Sequence, residues 1–164
     1  MKRMKAAVRL APWAVAAALA AGCASQGAAP TAPTTLAPPT VVETFTGTLL
    51  AFGTQMHTFT VAQLGEVNIT LKTTVLEPTI DPETGDPVPP EDPTAVPALT
   101  LSIGTPTTTI FGPTCAALKS IEAKAAATPQ IIGSALAGNF CVSYTDSTGV
   151  LKNVVDYTIV VAHP

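Results

Sequence analysis

The sequence predicts an all-β protein: an antiparallel β-sandwich of about seven to eight strands with at most one short helix. Three observations carry this. From Val42 onward, apolar and polar residues alternate with period two, the pattern of strands buried on one face. Threonine fills much of the outward phase, where its β-branch fits the pleat and its hydroxyl stays wet. Turn signals such as Phe52-Gly53, Leu64-Gly65, Ala137-Gly138 and Asp146-Ser147-Thr148-Gly149 punctuate the runs. The 164 residues suit one ordinary domain, and 47% hydrophobic content is enough for a core. With only 12% charged residues and 16 prolines, neither a helical bundle nor a basic nucleic-acid-binding face is expected.

The first segment, MKRMKAAVRLAPWAVAAALAAGC, places Lys2, Arg3, Lys5 and Arg9 ahead of an apolar run from Leu10 to Ala21. Twelve residues are too few to span a ~30 Å hydrocarbon layer, so residues 1–22 read as an export signal. Its end, Leu19-Ala20-Ala21-Gly22-Cys23, resembles a bacterial lipobox. The resemblance implies cleavage before Cys23, acylation (palmitate among the chains) at that residue, and a lipid-anchored protein of the cell envelope. Ala24 after the cysteine is similar to the outer-membrane class of Gram-negative lipoproteins. More than one acyl chain, at ~0.8 kcal/mol per buried CH₂, makes a stable anchor.

Without residues 1–22 the basic residues are Lys72, Lys119, Lys124 and Lys152 against eleven acids, a net charge of −7. A phosphate backbone demands dense cationic surface, so no nucleic-acid partner is expected. The expected partners are the membrane, through the lipid, and an unspecified envelope or secreted protein. Residues 23–41 hold Cys23 and an uncharged linker with prolines at 30, 33, 38 and 39. In polyproline II form, its eighteen residues after Cys23 reach up to ~55 Å.

The sandwich is expected over residues 42–164. Phe45, Gly47 and Leu49 form the inward phase of a first strand, and His57, Phe59 and Val61 that of a second. Val67, Ile69 and Leu71 follow, and then Leu99, Leu101 and Ile103. Phe140, Val142 and Tyr144 come late, with Tyr157, Ile159 and Val161 closing the chain. Residues 77–98 hold seven prolines and six acids, which predicts a loop insert because proline cannot donate to a ladder. Ala116–Ala127, AALKSIEAKAAA, has the best helix propensity and predicts a short helix, preceded by one more strand around Thr109–Leu118.

Beyond Cys23, two cysteines remain. In an exported chain Cys115 and Cys141 are expected to form a structural disulfide. No paired histidine favours zinc, and nothing nearby favours a lowered thiol pKa.

The strand segments Phe45-Thr46-Gly47-Thr48-Leu49, His57-Thr58-Phe59-Thr60-Val61 and Gly65-Glu66-Val67-Asn68-Ile69-Thr70-Leu71 resemble secreted bacterial domains related to the pre-peptidase C-terminal family. So do Leu101-Ser102-Ile103-Gly104, Ala137-Gly138-Asn139-Phe140-Cys141-Val142 and Tyr157-Thr158-Ile159-Val160-Val161 with the terminal His163-Pro164. The likeness spans most of 43–164 and departs at the acidic insert. It implies a jelly-roll-like sandwich with a non-catalytic accessory role and transfers no catalytic residue.

Hydrolysis by a serine nucleophile needs a base and an orienting acid. After Cys23 the only histidines are His57, on an apolar strand phase, and His163, next to the end. No G-x-S-x-G, H-E-x-x-H or P-loop occurs, so no enzymatic activity is expected. Asp81, Glu83 and Asp86 around Gly85, followed by Glu91 and Asp92, are candidate calcium ligands, since hard cations collect carboxylates. A solvated acidic loop is the plainer reading. Asn68-Ile69-Thr70 matches a glycosylation sequon and reads as strand polarity. These observations predict an accessory or interaction module, with a calcium- or short-glycan-binding module as the alternative.

Overall fold

A computed structural model describes residues 39–164. The expected signal peptide, the lipidation site Cys23 and most of the linker lie outside the described residues.

The strands are β1 (Val41–Leu49), β2 (Thr54–Val61), β3 (Gly65–Leu76), β4 (Thr79–Ile80), β5 (Pro87–Val88), β6 (Leu99–Thr109), β7 (Gly112–Ala123), β8 (Ile131–Ala135), β9 (Gly138–Thr145) and β10 (Val155–His163). One four-stranded sheet runs β1-β10-β3-β8, a second runs β2-β9-β6-β7, and β4 and β5 form a separate small hairpin. Every pairing is antiparallel. Apart from that hairpin, only β6 and β7 are consecutive strands within one sheet. All other connections cross from sheet to sheet, as in a jelly roll.

The predicted inward phases meet between the sheets. Leu49, Ile69, Leu71, Val155, Ile159 and Val161 of the first sheet pack with Phe59, Val61, Leu101, Val142 and Tyr144 of the second. Burying each aliphatic or aromatic side chain contributes ~1.5–3 kcal/mol. All of these ladders and this core lie within 41–164, so that segment carries its own folding determinants.

Two sequence expectations need correction, and two features go beyond them. Residues 116–123 are the second half of β7 rather than a helix: Ile121 pairs with Leu101 and Ala123 with Leu99. Tertiary pairing here overrides local propensity, because Ile121 and Ala123 alternate into the core whereas a helix would present mainly alanine. The acidic insert is not merely a loop. It forms β4–β5, and Val96 at its end joins the core at 5% exposure; Leu76 N–H donates to Pro93 O at 2.8 Å. Strand β8 carries no alternation that marks it in the sequence, since its only buried residues are Ile131 and Ala135. The last strand also holds to its end: Val41 pairs with His163, and His163 is buried.

β6 and β7 outrun their sheet. Pairing of β6 with β9 stops at Gly104–Cys141, whereas pairing with β7 continues to Thr109–Gly112. The register shifts between Ile103 and Gly104. A Cβ at Gly104 would run into the carbonyl of Ala116, so this bend requires glycine. The chain beyond it, residues 105–116, forms a two-stranded arm.

Candidate functional site

The arm is held by the bridge between Cys115 on β7 and Cys141 on β9, with Cα atoms 5.8 Å apart. These strands are not neighbours in the sheet, because β6 lies between them. Val142 faces the core, so Cys141 projects from the outer face, yet it has no exposed surface. The arm therefore lies over the outer face of β9. On one side, Pro106 with Thr58, Phe59, Thr60 and Asn139 lines a hollow of about 290 Å³. On the other, Pro113, Thr114 and Cys115 meet Thr54, Met56, Ser143 and Thr145 around a hollow of about 530 Å³. Ser102 and Ser143 are outward residues that are nevertheless buried, and Ser102 Oγ lies 2.8 Å from Ser120 Oγ. Hydroxyls and prolines dominate this surface, a chemistry of contact and hydrogen bonding.

At the arm's turn, Ile110 and Phe111 are each 93% exposed. Thr107, Thr109 and Thr114 make their side-chain hydrogen bonds inside the arm. Thr107 and Thr114 hydroxyls lie 2.9 Å apart, Thr109 Oγ1 donates to Gly112 O at 3.1 Å and accepts from Phe111 N–H at 3.2 Å. Gly112, with φ of 114°, supplies the left-handed backbone the turn needs. The sequence signal for this feature is TPTTTIFGPTC, a charge-free run with an apolar pair before glycine.

Both histidines serve the inter-sheet contact. His57 Nε2 lies 2.8 Å from the Tyr157 hydroxyl, and its ring stacks on Phe45 at 4.9 Å. Burial lowers the His57 pKa and pushes the Tyr157 phenol up to about 12. The close fit extends to Gly47, where a Cβ would collide with the Tyr157 hydroxyl. His163 Nε2 pairs with Glu43 Oε1 at 2.9 Å, and its ring packs against Phe59. Such contacts tie β1, β2 and β10 together.

Tyr144 packs edge-on to Tyr157, but its buried hydroxyl has no hydrogen-bond partner. Burial, with smaller contributions from Asp146 and Glu122, pushes its pKa far up. An unpaired buried hydroxyl is unfavourable, so Tyr144→Phe is expected to leave stability unchanged or raise it. Tyr157→Phe removes the His57 contact and is expected to lower stability by ~1–2 kcal/mol, or roughly 3–8 °C in Tm. Thermal unfolding of the two variants checks the contrast.

At one end of the sandwich, Asp146 organises the β9–β10 loop. Its Oδ1 accepts Gly149 N–H at 2.8 Å and Val150 N–H at 3.1 Å, and Oδ2 accepts Leu151 N–H at 3.0 Å. Asp146 N–H donates to Gly53 O at 3.0 Å, joining this loop to the β1–β2 turn. There Phe52 has a positive φ of 57°.

Of the candidate calcium ligands, Asp81 and Asp92 use their carboxylates in turns, whereas Glu83, Asp86 and Glu91 stay in the acidic insert without a side-chain hydrogen bond among the described residues. Asp81 Oδ1 accepts Glu83 N–H at 2.8 Å and Thr84 N–H at 3.3 Å, and Asp81 N–H donates to Asp86 O. Asp92 Oδ1 accepts the Thr94 amide and hydroxyl. Among the described residues, no three His, Cys, Asp or Glu side chains gather as a metal-holding group. Asn68 lies in the central strand β3 and donates to Glu66 Oε1 at 2.7 Å. No protein-family model and no curated protein matches the chain.

Proposed function

We propose that the protein is a non-enzymatic lipoprotein of the cell envelope, anchored through Cys23, whose sandwich serves as an accessory or interaction module. The observation that carries the anchor is Ala20-Ala21-Gly22-Cys23 directly after a twelve-residue apolar run. Support for the non-enzymatic role comes from His57 and His163, which are engaged with Tyr157 and Glu43 in packing contacts. The covered outer face of β9 and the projecting arm support the interaction role. Likeness to pre-peptidase C-terminal domains belongs to the same proposal and rests on the strand segments alone.

Replacing Cys23 with Ser is expected to move the protein from the membrane fraction to the aqueous fraction, since the acyl chains supply the anchoring free energy. Fractionation followed by immunoblotting reads this directly. A Cys23→Ser protein that remains with membranes overturns the anchor.

A further inference from the structure

We propose that the Ile110–Phe111 tip of the arm is a wedge that enters the interface of a zwitterionic lipid bilayer. It deepens, and rests on, the reading of the chain as a membrane-anchored module. Both side chains are 93% exposed at the turn. No charged residue occurs between Asp92 and Lys119, so the arm brings no charge into a medium of low dielectric. Three of its hydroxyls near the tip, those of Thr107, Thr109 and Thr114, are paired within the arm, which lowers the cost of leaving water.

Size favours lipid over protein as the occupant. Two such side chains offer roughly 350 Å², taking an aromatic at ~200 Å², against ~800 Å² per partner in a standard protein interface. A bilayer interface accepts a shallow apolar wedge without a matching surface. Four lysines against eleven acids in the body oppose an anionic surface, which selects zwitterionic lipid. The Gly104 bend and the Cys115–Cys141 bridge hold the arm in place beforehand, so insertion requires little further ordering. Two apolar residues recruit weakly by themselves. On a chain already tethered to the same membrane they would set the body's orientation.

The test uses residues 39–164 with an N-terminal histidine tag, so that a nickel-chelating lipid in the vesicles takes the place of the tether. The chain's single tryptophan is Trp13, so Phe111→Trp places the only indole of this segment at the tip. With phosphatidylcholine vesicles its emission is expected to move to shorter wavelength and to be quenched by brominated acyl chains. Leu118→Trp, at a position 70% exposed on β7, is expected to show neither. Adding Ile110→Ser to the Phe111→Trp protein is expected to reduce the shift and the quenching, and at such exposure the variant keeps the fold. An emission unmoved by vesicles overturns the proposal. A shift that appears without lipid as the protein is concentrated also overturns it, and assigns the tip to a second copy of the chain. Because residues 39–164 lack Cys23, failure of the wedge and failure of the anchor are separate results.

Discussion

Opening the Cys115–Cys141 bridge, by reductant or by a Cys115→Ser/Cys141→Ser pair, is expected to destabilise the sandwich by about 3.5 kcal/mol. The bridge closes a 26-residue separation, and the chain-entropy model assigns this value to the freed unfolded state. It is a large part of an ordinary 5–15 kcal/mol total, corresponding to roughly 10 °C or more in Tm. A local effect accompanies the global one. Beyond Gly104 the arm pairs with nothing but itself, so without the bridge it is held to β9 only by packing. Amide exchange over residues 105–116 is therefore expected to rise more than exchange in β3 or β10. Thiol counting on unfolded, unreduced protein should find none within 39–164. Two free thiols, or an unchanged Tm on reduction, would contradict the structural role.

Asp146→Ala is expected to cost about 2–3 kcal/mol, because it leaves the buried amide of Leu151 and the partly buried amides of Gly149 and Val150 without their acceptor. The carboxyl has almost no exposed surface. Burial alone would raise its pKa, but hydrogen bonds from the amides of Leu151, Val150, Gly149 and Phe52 together hold it below the ordinary 3.8. A carboxyl whose folded pKa is depressed contributes stability above its unfolded value. That contribution is lost as pH falls through the folded value, so acid destabilisation is expected below about pH 4. Asp146→Asn keeps one acceptor oxygen. It should show a smaller loss at pH 7, and Asp146 should no longer contribute to the acid response. Urea unfolding of both variants at pH 7 and pH 3 separates these effects.

Much of the fold was legible because its core strands alternate cleanly. The inward residues Phe59, Val61, Val67, Ile69, Leu71, Leu101, Val142, Tyr144, Ile159 and Val161 all reach the core. Elements whose stability comes from a neighbour rather than from their own pattern were hidden. β7 carries alanines that suit a helix, and only the β6 ladder makes it a strand. β8 presents two buried residues in five, too few for a period to emerge. The cysteine pairing followed from arithmetic, but its consequence did not. Which face Cys141 occupies, and that an arm folds over it at Gly104, depend on a register shift between Ile103 and Gly104 that no local pattern announces. The acidic insert suggested a cation site, yet Asp81 and Asp92 satisfy turn amides and hydroxyls instead, the commonest use of aspartate in a turn. His163 stands next to the end of the sequence, and its partner Glu43 lies 120 residues away, a contact that no local pattern announces.

Tethering of this sandwich through Cys23 is tested most directly by mass spectrometry of the N-terminal peptide of protein extracted from the producing cell's envelope. The expected result is a chain that begins at Cys23 and carries the added mass of acyl chains on that residue. A chain that begins elsewhere, or one in which Cys23 is unmodified, would contradict it.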